Sequence, residues 1–354
     1  MNSRLLLCAL LAASNLHAGD WERMRVIQPQ GYVCHKASTP IAVDGRMDES
    51  AWATVPWTAD FQDIEGTLKP KPPFRTRAKM LWDDTYLYIA AEMEEPHVWG
   101  TLTKRDSVIF QDPDFEVFID PDGDNHEYYE FEMNALNTVW DLFMDKPYKD
   151  GGKALDSWDI AGLKSAVHVQ GTLNDASDRD RGWTLEIAFP WKALAAHAHR
   201  TVPPQEGDQW HLGFSRVEWD IDTKDGQYIK VPGKAEHNWV WSPQGIVDMH
   251  RPERWGRVQF TAKLPGTVRF QRDPAEAARE ALMGVYHAQR DFHGAHQRWA
   301  MSAAELGLKP STGSQPLPTI TTTPDGYRAD VTIPSVTGKA ESWSVRQDSR
   351  LWRR

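Results

Sequence analysis

Cysteine is almost missing from this chain: two copies among 354 residues, Cys8 and Cys34. Cys8 lies inside the first apolar run, so removal of a leader would leave Cys34 alone and no internal disulfide. A lone thiol of this kind is either buried or pairs between chains. Positive charge is also short, with 40 Lys and Arg against 50 Asp and Glu, a net charge of −10. The densest basic run is the terminal Arg353-Arg354. That balance argues against nucleic acid or an anionic membrane surface as partner. No apolar run is long enough to span a bilayer. The chain also lacks a Gly-rich phosphate loop, a His-Glu-x-x-His zinc motif and a Ser-His-Asp signature. It has no Cys-x-x-Cys-His, which excludes covalently attached haem.

What is present begins with a leader. Met1-Asn2-Ser3-Arg4, the apolar run Leu5 to Ala13, and Leu16-His17-Ala18 have the basic start, short apolar core and small final residue of a secretory signal peptide. Cleavage after Ala18 is expected, and the mature chain should be exported to the periplasm or the medium.

Tryptophan is abundant: 17 copies, 13 of them from Trp52 to Trp255. Most such rings should fill a core, with some left to stack on flat ligands. From residue 41 the chain alternates at period two. Residues 76–82 and 86–92 read as a hairpin around Asp83-Asp84, and the segments 115–120, 127–133, 137–144, 163–170, 183–189, 210–217 and 256–263 continue the series. Asp, Gly, Pro and Asn clusters separate them. Short helices are expected at Asp48 to Ala53, capped by Asp48, and at Pro190 to Ala196, with Pro190 in the first turn. The fold class is mainly β: an antiparallel, jelly-roll-like sandwich over 19–263. A small α+β tail over 264–354 follows, with a helix capped by Asp273, a linker at 309–324 and a hairpin of 327–333 with 342–345.

Four blocks then stand in order: Val43-Asp44-Gly45-Arg46-Met47-Asp48-Glu49-Ser50-Ala51-Trp52, Leu81 to Ile89, Phe115-Glu116-Val117-Phe118-Ile119-Asp120-Pro121, and Arg254-Trp255-Gly256-Arg257-Val258-Gln259-Phe260. Together they resemble the family 9 carbohydrate-binding modules, the β-sandwich sugar binders attached to xylanases. The tail's helix, loop and two strands resemble, in layout only, the C-terminal part of pilin-like proteins. The first resemblance implies binding of a poly- or oligosaccharide without cleavage, by aromatic stacking and a polar rim. It places Asn134 at a sugar-contacting position, with Glu132 where relatives carry Arg. Those relatives clamp a sugar between two Trp rings; here the slots hold Phe110 and, near the second, Met249. Trp99, Trp140, Trp219, Trp239 and Trp241 are candidate replacement rings, and Arg105 or Arg216 candidate rim residues.

Asp120-Pro121-Asp122-Gly123-Asp124-Asn125-His126-Glu127 has the oxygen-rich composition of a calcium loop, with Asp120, Asp122, Asp124 and Glu127 as ligands. The same residues suit a solvated turn. The resemblance implies a structural calcium ion. Glu130 and Glu132 share one sheet face, as suits hydroxyl recognition or acid–base work alike, and the chain is expected not to be an enzyme. The rival reading is a sandwich used for protein contacts or for a haem-type cofactor. Met133, Met144, His126, His211 and Met249 would then be candidate axial ligands, with His287, His293 and His296 a further cluster on the tail helix.

Overall fold

The computed structural model describes residues 19–309, 317–334 and 340–354. The expected leader at 1–18 and residues 310–316 of the expected linker lie outside the described residues. Helix α1 (Gly19–Arg25) leads into β1 (Gly31–Lys36), α2 (Ser50–Ala53), β2 (Gln62–Asp63), β3 (Thr76–Trp82) and β4 (Tyr86–Glu94). Then come β5 (Asp114–Asp120), β6 (Tyr128–Asn134), β7 (Val139–Met144), β8 (Ala154–Leu155), β9 (Lys164–Gln170) and β10 (Gly182–Pro190). After α3 (Trp191–Leu194), the sandwich ends with β11 (Gln209–Glu218), the small hairpin β12 (Ile221–Lys224) and β13 (Gln227–Lys230), β14 (His237–Val240) and β15 (Gly256–Thr261).

The main sheet follows the path β8-β7-β6-β5-β11-β15-β1-β3-β4-β10-β9, with β14 and β2 branching from β11. It curls into two layers. Phe131 of β6 meets Phe189 of β10 edge-on, 5.5 Å between centroids, although β5, β11, β15, β1, β3 and β4 lie between them along the path. Val117, Phe131 and Phe214 of one layer share a core with Met80, Ile89 and Ile187 of the other. One departure from an all-antiparallel sandwich is β1, which runs parallel to both β15 and β3. Parallel neighbours need crossover connections, and here these are the long 37–75 segment and the rest of the domain. Cys34 of β1 is fully buried, and burial pushes its thiol well above the usual range.

Local chemistry explains the legible elements. The Asp83 carboxylate accepts the N–H groups of Thr85 and Tyr86 at 2.7 and 2.8 Å, the side-chain turn that sets the β3–β4 register. In the first block Gly45 has φ +85°, and a Cβ there would stand 2.7 Å from the Val167 backbone, so only glycine fits. Glu186 of β10 organises that block. It accepts the N–H groups of Asp44 and Gly45 and the indole N–H of buried Trp52. Asp48 does not cap α2: Glu49 occupies the N-cap without a side-chain bond and turns back to the Ala42 N–H instead. Pro190 precedes α3 as its N-cap.

The tail is larger than a hairpin. Helix α4 (Glu276–His296) packs on a four-stranded sheet, β16 (Thr319–Thr323), β17 (Gly326–Ile333), β18 (Glu341–Arg346) and β19 (Leu351–Arg353). Helix α4 starts later than Asp273 would set it, with Ala275 at the N-cap. Asp273 instead accepts the Ala275 N–H at 2.9 Å and closes the preceding turn. The tail is bolted to the sandwich. Arg254 and Arg257, from the last family block, pair with Glu280 and Glu276 of α4 at 2.7 and 2.6 Å. Arg350 pairs with Asp124, and Asn125 donates to the Ser349 carbonyl, both at 2.9 Å. Removing Glu276 would take the carboxylate from buried Arg257, a loss of about 3–5 kcal/mol. Among the described residues no helix is long and apolar enough to cross a membrane.

Candidate functional site

Strand β5 reads Asp-Phe-Glu-Val-Phe-Ile-Asp. Phe115, Val117 and Ile119 enter the core between the layers, which sends Asp114, Glu116, Phe118 and Asp120 to the outer face. An outer face of that composition would ordinarily meet water. Here all seven residues of β5 are buried, and all seven of β6. The cover is a second apolar cluster, in which Ile64, Val240, Met249 and Trp255 lie over Phe118, Tyr128, Leu142 and Met144.

Beside this cover opens a cleft of 280 Å³. Its acid groups are Glu116, Glu130, Glu132, Glu236 and Asp248; its rings are Phe110, Phe118, Trp140 and Tyr148; Met249 and His250 close one side. Register explains the grouping. Glu116 lies directly opposite Glu132, and Glu132 opposite Trp140, in one row across β5, β6 and β7. Oxygens of Asp114, Glu116 and Glu132 all lie within 4.8 Å of one another. Glu132 accepts the Phe110 N–H at 2.9 Å, which fixes the aromatic side chain at the rim. Asp114 Oδ2, Glu116 Oε2 and Glu130 Oε2 are buried without a hydrogen-bond partner.

Among the described residues no Lys or Arg lines the cleft. The nearest basic group is His250, 3.9 Å from Glu130. Burial drives that imidazole down to about 4, and its Nδ1 is engaged with the Tyr128 hydroxyl at 2.8 Å. Burial holds the Glu116 carboxyl up to about 7. Burial first, and repulsion between neighbouring acids second, raise Asp114, Glu130 and Glu132 well above the carboxylate range. Unpartnered buried carboxylates resist ionisation because water no longer solvates the charge.

Phe110, Glu132 and Trp140 thus meet around one cleft, together with Met249. Trp219 adjoins it, donating its indole N–H to the Phe110 carbonyl at 3.1 Å while Lys230 sits 3.3 Å over its ring. Asn134 stands elsewhere. Its amide donates to Leu102 and Asp112 and accepts from Leu136 and Thr138, so its capacity is spent closing the β6–β7 turn. Trp99 and Trp241 are buried side chains outside the cleft, Trp241 tilted 5.5 Å from Phe214 in the core. Trp239 is buried against the Arg216 guanidinium, 5.0 Å away. Arg216 is itself buried and paired with Glu95 and Glu218, and Arg105 pairs with Asp141 and Asp159. Glu116, Tyr148 and His250 escape a sequence reading. The available signal was like charges placed opposite each other on neighbouring strands, which an exposed sheet avoids.

At the other end of β5, Asp120, Asp122 and Asp124 also converge within 4.8 Å. Glu127 is not among them: it pairs with His199. Asp120 accepts the N–H groups of Gly123 and Asn125 at 2.8 and 3.0 Å, and Asp124 accepts the His126 N–H while pairing with Arg350. The loop therefore fits calcium only in part, with three of four acids together and each of them accepting a backbone N–H. The haem-ligand candidates are scattered. Met133 lies in the main core, Met144 in the outer cluster, Met249 in the cleft, and His211 in a 780 Å³ cavity between sandwich and tail. His126 meets the Asp348 carbonyl. On α4, His287 stacks on Trp21, His293 on Trp299, and His296 leans on Phe292.

Residues 43–263 match the family described as "Carbohydrate family 9 binding domain-like", and the chain belongs to that family. Among curated proteins it is similar to "Exoglucanase XynX" of Acetivibrio thermocellus, 26% identical over 161 residues, covering 44% of this chain and 12% of that protein. It is also similar to "Endo-1,4-beta-xylanase A" of Thermoanaerobacterium saccharolyticum, 28% identical over 116 residues, or 33% of this chain and 8% of the relative. The chain therefore spans only a small part of these relatives' length. Among solved structures, a family 9 module from Caldicellulosiruptor kristjanssonii in complex with cellotriose overlaps with a TM-score of 0.44 at 14% identity, over 69% of this chain and 100% of that one. A putative carbohydrate-binding protein from Bacteroides uniformis gives 0.48 at 16% identity, over 66% and 100%.

Proposed function

We propose that this chain is exported and binds a poly- or oligosaccharide without cleaving it, seating the sugar in the cleft between Phe110, Trp140 and Tyr148. Family membership supports carbohydrate as the ligand class. The observation that carries the reading is one cleft that combines aromatic rings with buried carboxylate oxygens lacking partners. Rings stack on the apolar faces of a pyranose, and the oxygens meet its hydroxyls. At 280 Å³ the cleft is near the small end of small-molecule pockets, about 300–1,000 Å³, a size suited to a terminal sugar. Glu116, Glu130 and Glu132 all rise from one sheet face. Glycoside hydrolysis needs two carboxyl groups flanking the scissile bond, so this floor suits recognition. A role in carbohydrate catabolism belongs to the same reading. So does a calcium ion at the Asp120 loop, within the partial fit of its acids.

The test is titration of the mature chain with a panel of soluble oligosaccharides, followed by tryptophan fluorescence and calorimetry. A saturable response from at least one sugar, weakened by Trp140→Ala, is expected. A flat response across the panel from folded protein would refute the assignment.

A further inference from the structure

The acid floor of the cleft demands a counter-charge that the protein does not supply. Asp114 is fully buried, and Glu116 and Glu132 are 5% and 2% exposed. Among the described residues no lysine or arginine lines the cleft, and the imidazole that does, His250, stands beside Glu130 with its Nδ1 held by a tyrosine hydroxyl. Burying carboxylates in this way is unfavourable unless protons or a cation neutralise them. The oxygens are also spaced for an ion. Calcium–oxygen distances are about 2.3–2.6 Å, so oxygens around one ion lie up to about 5 Å apart, and the three acids here fall within 4.8 Å. Glu130 adds an independent pointer: its Oε2 is buried, has no hydrogen-bond partner, with the His250 imidazole no nearer than 3.9 Å, and its side chain lines the same cleft. The ligand set is all oxygen, which suits hard divalent ions and disfavours zinc or copper.

We infer that Asp114, Glu116 and Glu132 hold a divalent cation of the calcium type, with Glu116 and Glu132 lining the cleft and Asp114 adjoining them outside its lining, and with open coordination positions that sugar hydroxyls complete. This rests on the cleft being the sugar site. Glu132 contributes Oε1, since its Oε2 holds the Phe110 N–H; Asp114 contributes Oδ2 and Glu116 Oε2. The ion then links the two halves of the cleft, because the residue that binds it also positions the rim ring.

Calorimetry of chelator-stripped, full-length protein with calcium chloride tests the site. The same titration is run on Glu116→Gln, Glu132→Gln and, as a control for the loop triad, Asp122→Asn. Circular dichroism confirms that each variant is folded. Asp122→Asn should keep the cleft uptake of the wild type, losing at most a separate event at the loop, and either cleft variant should weaken the cleft uptake at least about tenfold, because affinity follows ligand charge. Two results overturn the proposal: no uptake by folded wild-type protein at millimolar calcium, magnesium or manganese, or uptake lost with Asp122→Asn and kept by both cleft variants. A sugar titration with and without chelator separates the two readings. Sugar affinity that falls on chelation supports the ion. Sugar affinity indifferent to chelation overturns the ion and leaves the sugar site standing. Calcium uptake at the cleft with no response to any sugar overturns the sugar reading, and with it the hydroxyl-completed shell.

Discussion

Strand β5 begins at Asp114 and ends at Asp120, both fully buried and both pointing to the outer face. Each belongs to a triad of acids with oxygens within 4.8 Å, yet the two ends differ in what surrounds them. Around Asp120 the backbone curls back so that the Gly123 and Asn125 N–H groups meet the carboxylate, and Arg350 arrives from the tail to meet Asp124. Gly123, with φ +70° and the His211 ring 2.8 Å from where a Cβ would be, permits that curl. Around Glu116 the backbone N–H groups of Phe110 and Val217 meet Glu132 and Asp114, but two oxygens of the triad lack hydrogen-bond partners, and among the described residues no Lys or Arg lines the space. Acids with internal partners hold the fold together. Acids buried beside an open space and left without partners are placed for something that comes from outside.

The largest effect that would break this contrast is pH dependence. Glu116, held up to about 7 by burial, keeps a proton in the folded chain that the unfolded chain, with a value near 4.5, has released. The folded state binds more protons across that window, so stability should fall as pH rises from 4.5 through 7, by about 3 kcal/mol for this group. Urea midpoints of chelator-treated protein near pH 5 and near pH 8 measure it, and Glu116→Gln should remove that share of the slope. Midpoints that climb with pH would mean the cleft acids are paired charges after all. Next in size, Asp120→Ala should cost about 2–3 kcal/mol by stranding two buried N–H groups. Glu116→Gln should be neutral or stabilising in the same denaturation assay. Equal losses from the two variants would erase the distinction. Trp140→Ala should weaken sugar binding about tenfold, or ~1.4 kcal/mol, and also lower the denaturation midpoint, since the ring packs on the outer cluster; calorimetry and urea melts separate the two effects. Smallest is Arg350→Ala. That side chain is 35% exposed, so about 1 kcal/mol or less is expected from unfolding curves, together with faster proteolysis of the tail if the pair helps to anchor it.

Period-two alternation made most strands legible, because it reports which residues share a face. The β3–β4 hairpin announces itself through Asp83, and β5, β6, β10 and β11 begin and end within a residue or two of their apolar runs. Alternation does not report what lies above a face. The acids of β5 and β6 read as the solvent side, but Ile64, Val240, Met249 and Trp255, from remote segments, cover the neighbouring ground and turn an open face into a cleft. The resemblance implied a sugar-contacting Asn134, and its oxygen here accepts N–H groups of the turn that follows it. Trp241 read as a free ring, whereas it packs so close that a Cβ on Gly256 would lie 2.3 Å from it. Strand β16 was read as linker because Thr319–Thr323 contains one aliphatic residue, Ile320, among four threonines. Its strand state comes from pairing with β17.

The parallel placement of β1 also sets the order in which the molecule can be completed. Gly31 to His35 pair with Arg257 to Thr261, and the far side of β1 pairs with β3. The first strand of the sandwich is therefore bonded to its last, and the seam between the layers cannot close until residue 261 has been made. Such long-range pairing is slow to form. A chain truncated before β15 should stay open and protease-sensitive, however many of its hairpins have already formed, and closure should come as a single late event.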